Sequence, residues 1–333
     1  MAHIRVTAGA AGLQPVGPGE PLSARLRGAA RGLPARAPLL ILVHGYRYDP
    51  HSPAASPHHT LYAAEGPDAW AARLGFDAPG GGLCVGFGWN ARAPHLPELL
   101  RRGRTGFARV YERAGATGAA LATLIGALAE AAPGRPVDIL AHSLGARVAL
   151  GALPHLDAAG AAALGRIILL GGAEFAGRAE AAFAAAPEAA CPEVYSIVSR
   201  QNDPFDTLFE LFAPRGAGAD HALSRKLPRL RNWLALQIDS PGTRRWATSR
   251  GIALEAPAGR ICHNGFYTLP GAMELYAGIL REREIFSVAA LRGSPALAEH
   301  EPRWARFGPL PPMPGAGRGR GLFRPRIGRQ RAP

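Results

Sequence analysis

The chain has 333 residues, 47% of them hydrophobic and 19% charged, which is ample apolar material for a sizeable core and excludes an intrinsically disordered chain. Its 42 glycines and 31 prolines are numerous but fall short of a low-complexity composition. The formal charge of +13 is unevenly spread: eight arginines against Glu301 lie in residues 301–333, so the body is only mildly basic.

In chain order, weak strand signals at Ile4–Thr7 and Leu22–Leu26, separated by Gly and Pro, predict an antiparallel edge hairpin. Short apolar runs at Leu39–Val43, Leu83–Phe87, Val137–Ala141, Arg166–Leu170, Val194–Val198 and Trp233–Ile238 read as buried strands. Segments with helical period lie between most of them, at Asp68–Leu74, Ala116–Ala132, Ala146–Leu153 and Ala179–Ala185. This alternation predicts an α/β fold, a mostly parallel sheet with helices on both faces. A last helix over Gly271–Glu282 is expected to close the body. The domain is expected to span residues 1–300, with 301–333 a basic, Pro/Gly/Arg-rich, largely disordered tail.

Three cysteines, Cys84, Cys191 and Cys262, show no C-x-x-C spacing, so neither a disulfide framework nor a zinc ribbon is expected. Met1–Gly12 has no leader pattern, and the weakly polar stretch Ala114–Ala129 is short for a membrane span. These features favour a cytoplasmic protein without a transmembrane segment. The histidines His51, His58 and His59 in the loop Arg47–Pro67 have no acidic or Cys partner at ligand spacing, so no metal and no cofactor is expected.

In a parallel sheet, ligands gather at the carboxyl ends of the strands. Ala141-His142-Ser143-Leu144-Gly145 follows a predicted strand and precedes a helical run, the pattern of a nucleophile elbow. Small residues two before and two after Ser143 relieve the sharp turn, and the helix start offers the Leu144 N–H to a developing oxyanion. The run Leu39–Val43 ends in His44-Gly45-Tyr46, where the glycine lets the chain turn and the Tyr46 N–H serve as the second oxyanion donor.

On these motifs the chain resembles the α/β-hydrolase superfamily over residues 37–283. The Gly86-Phe87-Gly88-Trp89-Asn90 strand end, the crossover after Tyr111, Arg147-Val148 behind the elbow, Asn202-Asp203 and His263 look like the poorly characterised bacterial members of unknown function. The resemblance implies an eight-stranded sheet and a Ser, acid, His triad in that chain order. His263 then matches the general base, with His221 as a rival on the wrong side of the last strand. Asp203 is the expected acid, with Glu174 and Asp239 as alternatives.

The function expected is a serine hydrolase cleaving a carboxylic ester or thioester of a small-molecule acyl substrate through a Ser-His-Asp triad, or an acyltransferase or peptidase on the same residues. A binding protein that uses the Arg-rich tail is the reading from a different class, with no specific nucleic acid expected. The segment 204–260 could form a lid or pocket. Phe205, Leu208, Phe209, Leu211 and Phe212 recur at helical spacing, so that Phe205 and Phe209, with His142, are expected at the substrate unless the apolar face is simply core.

Overall fold

A computed structural model describes residues 2–93, 106–215 and 220–307. Its strands are β1 (Ala2–Gly9), β2 (Gly12–Pro15), β3 (Leu39–Val43), β4 (Leu83–Gly88), β5 (Val137–His142), β6 (Leu164–Leu170), β7 (Glu193–Val198) and β8 (Trp233–Gln237). They form one eight-stranded sheet in the order β2-β1-β4-β3-β5-β6-β7-β8, in which only β1 and β2 run antiparallel. Every residue of β3, β4 and β5 is buried, as expected of strands covered on both faces.

The helices are α1 (Leu22–Arg31), α2 (Trp70–Arg73), α3 (Gly106–Ala131), α4 (Gly145–Ala152), α5 (Ala158–Ala163), α6 (Ala176–Ala184), α7 (Asp203–Phe212), α8 (Pro241–Thr248), α9 (Gly265–Thr268), α10 (Ala272–Arg281), α11 (Val288–Arg292) and α12 (Pro295–Ala298). Two apolar clusters lie on opposite faces of the sheet. One joins Ile41, Val85 and Ile139 to α3 and α4, and the other joins Leu40, Leu42 and Leu140 to α2, α8 and α10.

The register brings the strand ends level. Val43 lies beside both Phe87 and Ala141, His142 beside Leu170, and Leu170 beside Ile197. The turns after β3, β5, β6 and β7 therefore meet along one edge of the sheet, which is where the chemistry-bearing residues lie.

Several expectations need correction. The second half of the edge hairpin is Gly12–Pro15, and Leu22–Leu26 is helical, because Leu26 and Ala30 are spaced to bury one helix face against the core. Helix α3 begins ten residues earlier than its apolar period suggests. It is long and apolar enough to cross a membrane by length and composition, but Leu121, Leu124, Ile125 and Leu128 are buried in the core and Gly118 fits against Gly151 of α4. The helix α10 does not close the body, since α11 and α12 follow and bury Val288, Leu291 and Leu297.

The domain boundary also moves. Residues 301–307 pack on the body: Arg303 and the Trp304 N–H contact Asp203, and Arg306 contacts Asp239. The remainder of the expected tail, 308–333, lies outside the described residues.

Candidate active site

Ser143 sits between β5 and α4 at φ 53°, a left-handed conformation that costs a non-glycine residue of order 1–3 kcal/mol. The surroundings hold it there: its N–H donates to Leu170 O at 2.9 Å, and its carbonyl accepts from Ala173 N–H at 2.9 Å. The glycines on either side permit the turn. A Cβ on Gly45 would lie 2.7 Å from Ser143 Cβ, and one on Gly145 would lie 2.7 Å from Val43 O.

His44 is a structural buckle beside this turn. The Trp89 N–H donates to its Nε2 at 3.1 Å, so the ring proton sits on Nδ1 and is donated to Gly45 O at 2.9 Å. Burial lowers the ring's pKa to about 3, which keeps it neutral. With Gly45 O tied to the ring, peptide planarity fixes the Tyr46 N–H on the side away from it. Leu144 is the N-cap residue of α4, and its amide precedes the helix's hydrogen-bonded turns, where an N–H has no acceptor within the helix.

His263 lies in the loop before α9. Its Nε2 is 3.0 Å from Ser143 Oγ and its Nδ1 is 2.7 Å from Asn202 Oδ1. An amide oxygen only accepts, so Nδ1 carries the proton and the Nε2 lone pair faces the serine. Two rings pack against it, with Phe205 and His142 each 4.7 Å away between centroids. Burial lowers the His263 pKa to about 4, so the ring is neutral at pH 7. His142 is buried, its Nε2 lies 3.3 Å from the His263 carbonyl, and burial and the neighbouring His263 keep it neutral too.

The group on the far side of His263 is an amide and not the expected Asp203 carboxylate. The turn after β7 is 3-10 over Arg200–Asn202 and α-helical from Asp203, so consecutive residues project about 100–120° apart. Asn202 faces His263, while Asp203 faces Arg200 Nη1 at 3.3 Å, Arg303 Nε at 3.7 Å and the Trp304 N–H at 2.6 Å. The two alternatives are engaged elsewhere. Glu174 accepts from the Tyr111 hydroxyl, from Arg147 at 2.6 Å and from the Phe175 N–H at 2.7 Å. Asp239 accepts from Ser199 Oγ and from the Arg200 N–H, both at 2.9 Å. His221 is held through its backbone, which pairs with Asp220 and Ala176, and it does not bond to Ser143.

Behind Asn202 is a carboxylate that the chain order obscures. Asn202 Nδ2 donates to Asp206 Oδ1 at 2.8 Å. The usable signal is an Asn and an Asp four apart where a strand turns into a helix, which places both on one helix face. Gln201 ties the two loops of the site together. Its backbone carbonyl accepts from the Cys262 N–H at 3.2 Å, and its side chain donates to Gly259 O at 2.6 Å.

A cleft of about 830 Å³ opens over Ser143 and His263. Phe205, Leu208, Phe209 and Phe212 of α7 form one wall, and Tyr46, His142 and Tyr267 lie on others. Leu211 is 70% exposed and lies outside this lining. The α7 face therefore serves two ends, since Phe209 is also buried against Phe175 at 4.7 Å. Trp233 and Trp246, from the remainder of the 204–260 segment, are core residues.

Residues 34–188 match the model of a family described as alpha/beta hydrolase of unknown function (DUF900). The chain has the α/β-hydrolase fold. No curated protein matches the chain. The matched part of the chain carries Tyr46, Ser143 and Leu144 and ends before Asn202 and His263, so the family match does not bear on these two, which the fold brings beside Ser143. Hydrolysis is the reaction class that the family description suggests.

Proposed function

We propose that the protein is a serine hydrolase cleaving a carboxylic ester or thioester through an acyl-enzyme on Ser143, with His263 as base and Asn202 orienting it. The observation that carries this reading is His263 poised between Ser143 Oγ at 3.0 Å and Asn202 Oδ1 at 2.7 Å. Ser143 Oγ bonds to the acyl carbon as His263 Nε2 takes its proton. The oxyanion accepts from the N–H groups of Tyr46 and Leu144, each worth a few kcal/mol. His263 returns the proton to the leaving alcohol or thiol, and a water activated by the same nitrogen then releases the acid.

The apolar wall of α7 favours an acyl group of some length. Each methylene buried against Phe205, Leu208 and Phe212 contributes up to ~0.8 kcal/mol, or about fourfold in kcat/KM. Two measurements test the reading. A fluorophosphonate probe should label the wild type and not Ser143→Ala, and kcat/KM for p-nitrophenyl esters should climb from acetate towards octanoate. Labelling that persists in Ser143→Ala overturns the reading, and a flat length profile removes α7 from the acyl site.

A further inference from the structure

Asp206 is a buried carboxylate for which the proposed chemistry has no assigned step. It is 4% exposed, lines the cleft over Ser143, and lies 2.8 Å from Asn202 Nδ2. An unbroken chain thus runs Ser143 Oγ, His263 Nε2, His263 Nδ1, Asn202 Oδ1, Asn202 Nδ2, Asp206 Oδ1. We propose that Asp206 is a positioning carboxylate of this site, acting on His263 through the Asn202 amide and disabling the base when it takes up a proton. The proposal rests on the Ser143–His263 hydrolase reading.

The argument is one of donors and acceptors. A primary amide has a donor end and an acceptor end, and a half-turn about its last bond exchanges them. An ionised carboxylate only accepts, so Asn202 must turn Nδ2 towards Asp206 and Oδ1 towards His263. That in turn requires the imidazole proton on Nδ1 and leaves Nε2 free for the Ser143 proton. A protonated Asp206 can donate, which lets the amide reverse and present its NH2 to Nδ1. The ring proton then moves to Nε2, where it blocks proton transfer from Ser143. The ionised form also sets a negative charge two hydrogen bonds from the imidazolium that forms during attack, a stabilisation that the neutral amide lacks.

The groups around Asp206 place this switch near neutrality. Burial is the largest influence and raises its pKa to about 7, and Asp203 one turn back adds to the rise. The Ser224 hydroxyl, Arg303 from the C-terminal segment and Arg200 from the preceding turn oppose it. Glu210, one turn on, faces Arg225 at 3.7 Å and Arg303 at 3.8 Å. His263, with a pKa of about 4, titrates well below this range.

The test compares kcat/KM of the full chain for p-nitrophenyl butyrate from pH 5 to 9 in wild type and Asp206→Asn. Wild type should gain at least tenfold as pH rises through about 7. Asp206→Asn has no such proton to lose, so its profile should be flat there and at least tenfold below wild type at pH 8.5. The limb persisting in Asp206→Asn, or equal rates at pH 8.5, overturns the role of Asp206 alone. Turnover that survives Ser143→Ala overturns the hydrolase reading itself.

A second readout needs neither turnover nor a folded Asp206 variant. In 15N-histidine-labelled Ser143→Ala, the His263 nitrogens should exchange their protonated and unprotonated shifts as pH falls through about 7. A proton that stays on Nδ1 down to pH 5.5 overturns the switch.

Discussion

The turns after β5 and β7, at the edge of the sheet where Ser143 and His263 meet, are built on different physical grounds. After β5, the geometry of Ser143 is set by its neighbours in space: two glycines without Cβ atoms and three backbone hydrogen bonds, with Leu170, Ala146 and Ala173. After β7, Asp203, Asp206, Asp239 and the Asn202 amide share three cations, Arg200, Arg303 and Arg306, and one histidine, and partners up to about a hundred residues away decide which of them faces His263. Steric requirements leave one solution and write it into a short motif. Charge pairing leaves several solutions, and the winner is chosen by what the rest of the chain brings near.

The largest effects should come from the sterically defined turn. Ser143→Ala keeps the fold and lowers ester turnover on the order of 10⁴-fold or more, read by steady-state kinetics beside a melting curve. Gly45→Ala belongs to the same class, since its methyl would meet Ser143 Cβ at 2.7 Å and His142 O at 2.9 Å. It should cost both activity and stability.

On the electrostatic turn the two neighbours should separate. Asn202→Ala removes the group that fixes the His263 tautomer and should lower kcat by roughly 10²–10⁴-fold with KM little changed. Asp203→Asn instead leaves Arg200 and Arg303 without their buried partner, a loss of roughly 3 kcal/mol in stability with a much smaller change in kcat. If Asp203→Asn proves the more damaging to kcat, the carboxylate reaches His263 in the working enzyme and the contrast drawn above collapses.

The distant partners can be removed directly. A chain ended after His300 loses Arg303, Trp304 and Arg306, and against a chain ended after Phe307 its melting temperature should be lower by roughly 5 °C or more. Its kcat should fall as well, because the loop bearing Asn202 loses its outer support.

The smallest effect expected is a slope in stability with pH. Burial holds His44 at about 3 and His58 at about 4, and it lowers His142 well below its usual value. The unfolded chain therefore takes up these protons first, and stability falls as pH drops from about 6.5 towards 4. Asp206, raised to about 7, has the opposite sign and favours the folded state as pH falls from about 7 towards 4. His3, His263 and His300 are lowered as well, and burial also raises Asp138 and Asp203, so six histidines stand against three carboxylates, and urea unfolding at pH 7 and pH 5 should show the protein less stable at pH 5.

The strands β3 to β8 and the elbow were legible in the sequence because both depend on residues close in the chain. A buried parallel strand is a run of apolar residues, and a strained turn demands small residues at fixed offsets. His263 was legible only by its place after the last strand. Asn202 stood out only as the neighbour of Asp203, and Asp206 had no expected role, although an Asn and an Asp at that spacing share one helix face, because sequence order makes a carboxylate the natural choice and Asp203 stands beside them. Likewise Arg303 and Arg306 read as part of a basic tail, and only the folded chain brings them to Asp203 and Asp239. Sequence alone determined the parallel strands and the strained turn at Ser143 with its neighbouring His44-Gly45 turn, since hydrophobic period and steric exclusion act locally. Tertiary structure decided which side chain orients the base, since a charge in a buried loop goes to whichever opposite charge the fold sets within a few ångströms of it.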